Sequence, residues 1–169
     1  MVYAIACVDK NWGIGYNGRL LIGIPEDMRF FRDKTMNNIV IMGRKTYESM
    51  LSSPLSRRVN IVVTSKINGS CEIDEKGTIF MTIDFVKSYL SSLHFNKPID
   101  CYIIGGGQLY AELLPYCNKS YITKVDDAFE NVDTYFPNLD NKEEWIETES
   151  GEEKRYYGTP YKFCTYEKV

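Results

Sequence analysis

The sequence predicts a three-layer single-domain α/β fold: a mixed, mostly parallel sheet of about eight strands with an antiparallel C-terminal edge, and about four helices. Three observations predict it. Short β-branched runs alternate with segments of helical spacing through the first two thirds of the chain. After residue 115 the helical spacing fades and strand-like runs follow one another, which implies antiparallel pairing there. Finally, two apolar runs break into glycine and restart as a helix. Asn38-Ile39-Val40-Ile41-Met42 leads into Gly43-Arg44-Lys45-Thr46, and Cys101-Tyr102-Ile103-Ile104 leads into Gly105-Gly106-Gly107-Gln108.

Taken in order, residues 2–8 are a β-branched, apolar opening strand without the charged-then-apolar layout of a signal peptide. A helix at about 25–34 begins at Pro25, with Glu26 and Asp27 complementing the dipole in its first turn. A strand at 39–42 delivers the first glycine turn to a helix at 45–50. Strands at 59–64 and 78–81 follow, then a helix at 83–93 carried by the spacing of Val86, Tyr89, Leu90 and Leu93. A strand at 101–104 and a helix at 108–114 complete the alternating part. Segments 120–125, 145–148 and 161–167 are the successive strands of the edge. There are no repeats and no dividing linker, so residues 1–169 are expected to form one domain.

Composition narrows the function classes. An apolar fraction of 44% and a charged fraction of 25% are ordinary for a soluble globular chain. No apolar stretch approaches the length needed to span a bilayer, so a membrane partner is not expected. The five cysteines are odd in number and widely spaced. That argues against a disulfide framework or a zinc site and for small buried thiols in a reducing cytoplasm. His94 is the only histidine, which removes histidine-centred triads and metal clusters and leaves no metal expected. Residues 1–68 hold ten Lys/Arg against five Asp/Glu, whereas residues 69–169 hold ten against eighteen. A basic first part suits an anionic small molecule, although an accidental surface imbalance explains it as well. The basic residues are scattered without an aromatic platform, which disfavours nucleic acid.

In such sheets ligands sit beyond the carboxyl ends of the strands, where both glycine joints lie. Free backbone N–H groups and a helix dipole at such a joint suit an anion, and two joints suggest an extended, phosphate-bearing cofactor. Neither matches the dinucleotide or P-loop fingerprint. Arg44, Lys45 and Thr46 place two cations and a hydroxyl at a helix start, where a phosphate would satisfy all three; a solvated basic turn is the plainer alternative. Val63-Thr64-Ser65-Lys66 offers similar hydroxyls at another strand end. Three glycines in a row, 105–107, exceed what a tight turn needs and favour close approach of a ligand to the backbone, with room for unusual peptide geometry. Asp27 shares a helical face with Phe31 and precedes Met28, both expected to face inward. A carboxylate among apolar neighbours has a raised pKa and can bind a protonatable heterocycle; dipole compensation is the alternative, and for Glu26 the sufficient one. Arg57-Arg58 suits a carboxylate or is a plain surface pair.

These residues, along nearly the whole chain, resemble bacterial-type dihydrofolate reductase. The matching stretches are 11–15 (Asn-Trp-Gly-Ile-Gly), 25–31, 41–49 and 103–110, followed in order by Tyr121-Ile122-Thr123 and 133–137. The resemblance implies NADPH-dependent reduction of 7,8-dihydrofolate to 5,6,7,8-tetrahydrofolate, by hydride transfer to C6 with protonation at N5. It implies Asp27 as the ionisable group of the pterin pocket and Thr123 as its hydrogen-bond partner. Ile5, Met28, Phe31, Met50 and Leu55 would be apolar walls, and Arg58 the partner of the substrate's α-carboxylate. On the cofactor side it implies Gly43, Arg44, Lys45, Thr46, Val63, Thr64 and Ser65 around the adenosine and its phosphates. Ile104, Gly105, Gly106, Gly107, Gln108, Leu109 and Tyr110 would carry the pyrophosphate and nicotinamide end, with Cys7, Ile14, Gly15 and Leu20 beside the nicotinamide in and near a mobile loop. Antifolates are possible further ligands, and a monomer in the cytoplasm is expected. Leu20-Leu21-Ile22 departs from the family's usual Leu-Pro-Trp, which puts substrate affinity and inhibitor response in question. Two readings compete: the pyrimidine reductase of riboflavin synthesis, and a non-catalytic NADPH- or folate-binding relative.

Overall fold

The computed structural model describes residues 1–93 and 99–169. His94 lies outside the described residues. In chain order the elements are β1 (Val2–Val8), β2 (Gly13–Tyr16), β3 (Arg19–Leu20), α1 (Pro25–Thr35), β4 (Ile39–Gly43), α2 (Arg44–Ser49), β5 (Val59–Val63), β6 (Cys71–Ile73), β7 (Ile79–Met81), α3 (Ile83–Ser91), β8 (Cys101–Gly105), α4 (Gly107–Leu113), β9 (Lys119–Val125), β10 (Thr134–Tyr135), β11 (Trp145–Ser150), β12 (Lys154–Tyr156) and β13 (Thr159–Lys168). All eight anticipated strands and four anticipated helices are present.

The main sheet runs β11-β13-β9-β1-β8-β4-β5-β7-β6, with β12 paired to β13, and so has ten strands where about eight were expected. Its middle, from β9 through β7, is parallel. The C-terminal edge is antiparallel as anticipated, and β6 adds an antiparallel edge at the far side. A separate small sheet of order β10-β2-β3 stands beside it. Its hairpin turns on Asn17 and Gly18, both at positive φ, the pair that two-residue hairpins of this hand require. Tyr157-Gly158 turns β12 into β13 in the same way.

Alternation along the strands divides the core. Val2, Ala4 and Val8 of β1 face a cluster containing Val86 and Leu90 of α3 and Leu109, Tyr110 and Leu113 of α4. Tyr3 and Ile5 face the other way, into a cluster with Val40, Met42, Val62 and Tyr47 of α2, against which Phe30 and Phe31 of α1 pack. Helices therefore cover both faces, as parallel strands buried on both sides demand. Helix α1 lies over β1, β9 and β13, with Phe30 edge-on to Tyr121 and tilted against Phe163. Fully burying one such ring contributes roughly 1.5–3 kcal/mol, and the partial burial of Phe30 and Phe31 together favours this rotation of α1.

Candidate active site

The stripe of α1 that meets the sheet passes through Asp27, Phe30, Phe31 and Thr35. Met28 falls outside it and is 58% exposed, so the expectation that it faces inward is corrected by the helical period itself. Pro25 opens the helix, and its N-cap, Ile24, is fully buried against Val125 and Tyr161. This anchors the first turn on the sheet.

Asp27 therefore hangs over the boundary of β1 and β9. Thr123 Oγ1 donates to its Oδ1 at 2.5 Å, and Cys7 stands beside Thr123 on the neighbouring strand. Burial raises the Asp27 pKa above the ordinary carboxylate range, and the polar groups of Thr123 and Cys7 partly oppose it. Glu26, one residue earlier, behaves oppositely. Lys154 Nζ lies 2.8 Å from its Oε1 and the buried Tyr161 hydroxyl donates to its Oε2 at 2.7 Å, and these contacts hold its pKa below the usual range. Glu26 thus does more than compensate a dipole: it ties α1 to β12 and β13. Two adjacent acids are driven apart by their surroundings, one toward permanent charge and one toward proton exchange.

Beside Asp27, Ile5, Phe31, Met50, Leu55 and Ile104 belong to one apolar cluster under α1 and α2. Arg58 stands at the other end of α1 from Asp27. Its Nη1 donates to Thr35 Oγ1 at 3.0 Å and its Nε to the Ser56 carbonyl at 2.9 Å. Among the described residues it makes no ion pair, and burial together with the charge of Arg32 lowers its pKa. A carboxylate would relieve both effects. Arg57 takes positive φ and points its carbonyl to Asn37, so Arg58 is the member of the pair placed for binding.

The two glycine joints touch. Strands β4 and β8 are neighbours, and a register shift sets Met42 opposite Gly105. A Cβ on Gly43 would stand 3.6 Å from the Gly106 nitrogen and 3.7 Å from the Gly105 carbonyl oxygen. The Gly105–Gly106 peptide is cis and Gly105 has φ +136°, the unusual geometry that a glycine run admits. Thr46 Oγ1 lies over both glycines, 3.4 and 3.6 Å from their would-be Cβ positions. Arg44 pairs with Glu48 at 2.7 Å through Nε while its Nη1 is buried with no hydrogen-bond partner. An open backbone cradle, a hydroxyl and an orphaned guanidinium nitrogen fit a phosphate-bearing cofactor. Lys45 is exposed at the same helix start, and Thr64 and Ser65 end the adjacent strand β5.

Other anticipated residues serve the fold first. Leu109 and Tyr110 point into the core, and the Tyr110 hydroxyl donates to the Ile5 carbonyl at 2.6 Å directly behind Gly105. Gln108 reaches Glu112 on the surface. Ile14 and Gly15 lie on β2, held by Asp133, whose N–H donates to the Gly15 carbonyl and whose carboxylate accepts from Asn17 N–H. Leu20 is 65% exposed, while Ile22 packs with Cys7 beside Ile24 and Val125. Sequence reasoning missed the Glu26–Tyr161–Lys154 contacts, which join residues too far apart in the chain to be paired by spacing. It also missed the influence of Cys7 on Asp27, for which strand phase was an available signal.

Comparison with known proteins gives a consistent result. A family model described as dihydrofolate reductase matches residues 1–168. The dihydrofolate reductase of Bacillus subtilis is 35% identical over 171 residues, covering 99% of this chain and 95% of that protein. That of Buchnera aphidicola from Acyrthosiphon pisum is 40% identical over 133 residues, covering 79% and 76%. Among solved structures, dihydrofolate reductase from Enterococcus faecalis complexed with NADP(H) and RAB-propyl superimposes with a TM-score of 0.82 at 29% identity, covering 99% of this chain and 96% of that one.

Proposed function

The chain belongs to the dihydrofolate reductase family, and on that premise we propose that Asp27 is the proton-handling group in its NADPH-dependent reduction of 7,8-dihydrofolate to 5,6,7,8-tetrahydrofolate. The observation that carries the assignment is a carboxylate held by Thr123 and lifted toward proton exchange by burial, beside an apolar cluster. A group that must favour protonation of a ring nitrogen works best when its own pKa approaches the working pH. Asp27 binds the pterin's 2-amino group and adjacent ring nitrogen and favours a proton at N5. Ile5, Phe31, Met50 and Leu55 supply the walls, Met28 the outer rim, and Arg58 the charge for the substrate's α-carboxylate.

NADPH, when bound, supplies the hydride that reaches C6. Gly43 and Gly105–Gly107 would hold its phosphate-bearing chain, with Arg44, Lys45, Thr46, Val63, Thr64 and Ser65 at the adenosine end. Cys7, Ile14, Gly15, Leu20 and Ile104 would border the nicotinamide and exclude water there. Gln108, Leu109 and Tyr110 contribute through the backbone of the α4 start. The same residues take antifolates, and the protein acts as a monomer in the cytoplasm. Among the described residues, no helix is long and apolar enough to cross a membrane. The family match disfavours a pyrimidine reductase or a non-catalytic binder. The deciding assay follows NADPH oxidation with dihydrofolate for the protein and for Asp27→Asn. Loss of turnover with NADPH binding intact is expected; full activity of the variant at neutral pH would reject Asp27's role.

A further inference from the structure

Parallel pairing of β1 with β9 sets Cys7 directly beside Thr123, and both side chains leave the sheet on the face that α1 covers. Asp27 reaches this pair of strands from α1, and Thr123 donates its only hydroxyl proton to Oδ1. The Cys7 sulfur is the next polar side-chain group on that strand pair, at the register position beside Thr123. The remaining titratable groups facing Asp27 are already committed. From α4, the Tyr110 hydroxyl is spent on the Ile5 carbonyl. From β13, the Tyr161 hydroxyl is spent on Glu26, which Lys154 of β12 also holds.

We infer that Cys7 is a positioning residue for the reaction: its thiol donates to Asp27 and, with Thr123 on the neighbouring strand, fixes that carboxylate's orientation and proton affinity. The inference rests on the role of Asp27 proposed above. Burial and the charges of Asp27 and Asp9 push the thiol pKa up, so Cys7 stays protonated. It is then a donor and not a nucleophile. A donor to the charged form of a carboxyl group lowers its pKa, so removing that donor must raise it.

The test compares Cys7→Ala, Cys7→Val and Cys7→Ser with Asp27→Asn. Alanine and valine lack the donor, whereas serine keeps one. The limb of the kcat/KM pH profile governed by Asp27 should move up by about half a pH unit in Cys7→Ala and Cys7→Val, the value of one weak hydrogen bond. In Cys7→Ser it should return to the parent position or below. Carboxyl-carbon NMR titration of Asp27 in the protein without substrate should show the same order, independently of catalysis. A purely packing role predicts the reverse ranking, with valine best tolerated, serine worst and the limb unmoved; that result overturns the inference. If Asp27→Asn loses turnover while every Cys7 variant keeps the parent limb, this inference alone fails. If Asp27→Asn keeps full activity, the functional reading beneath it fails as well.

Discussion

Gly43→Ala separates the binding of the cofactor from the stability of the fold. Gly43 sits at φ −75° and ψ 162°, a conformation that alanine adopts without strain. The added methyl would meet only the Gly106 nitrogen at 3.6 Å and the Gly105 oxygen at 3.7 Å, both ordinary contact distances. Two opposing effects apply to stability. Alanine is a poorer helix N-cap than glycine by roughly 0.5–1 kcal/mol. Its lower unfolded-state entropy returns about the same amount. The Tm should therefore stay within about 2 °C of the parent. The methyl nevertheless covers the Gly105–Gly106 peptide, whose polar groups would face the cofactor. Losing one or two such contacts, each about 0.5–1.5 kcal/mol, weakens NADPH binding by roughly 2- to 150-fold. Gly107→Ala is the contrasting variant, because its methyl would press to 2.8 Å from Thr134 Cγ2 and 2.9 Å from the Tyr135 carbonyl oxygen. It should lose about 1–3 kcal/mol of stability. Fluorescence titration with NADPH beside thermal melts reads both quantities. A Gly43→Ala protein with parental stability and parental NADPH affinity would refute the cradle.

Asp27→Asn should slow turnover by about 100-fold or more at neutral pH. Its stability carries a pH signature. The folded protein holds the Asp27 proton where the unfolded chain has released it, so this group's contribution falls as pH rises from the ordinary carboxylate range through the raised folded value. Melts of Asp27→Asn should therefore gain on the parent above that window and not below it. Arg58→Leu should raise the KM for dihydrofolate about 10- to 100-fold with kcat largely kept, and leave the KM of a dihydropterin lacking the glutamate unchanged; a uniform effect on both substrates would exclude carboxylate binding. Ile22→Trp forces an indole into the place of a side chain packed beside Ile24 and Val125. It should cost about 1–3 kcal/mol in thermal or urea unfolding and leave NADPH affinity unchanged.

The long parallel part of the fold was legible because each of its strands is a compact β-branched run and each helix repeats with its own period. The small sheet was not. β2 is half glycine and β10 has two residues, so neither offers an alternation to read, although Asn17-Gly18 is itself a hairpin signal. Cys71–Ile73 is exposed throughout and lacks a buried face to betray it. In the site, Asp27 and the glycine joints stood out because their residue types are unusual where they occur. The touching of Gly43 with Gly105 and Gly106 needed the order of β4 and β8 in the sheet, which no local pattern carries. Met28 is the converse case: an apolar residue next to a functional one does not share its direction, because the helical turn sends it outward.

Strand β1 is made first yet lies at the centre of the sheet, with Val2 beside Cys101 and Tyr3 beside Lys119. Both neighbours arrive about a hundred residues later. A chain leaving the ribosome therefore carries β4, β5 and α2, most of one ligand half, well before the wall bearing Thr123 exists. Its most apolar strand has no lasting partner over that interval and is an opportunity for wrong pairing. Any truncation short of β9 leaves Asp27 without Thr123, its hydrogen-bond donor. The Asp27–Thr123 contact thus waits on β9, and the rest of the floor beneath α1 waits on β13, the last strand of all.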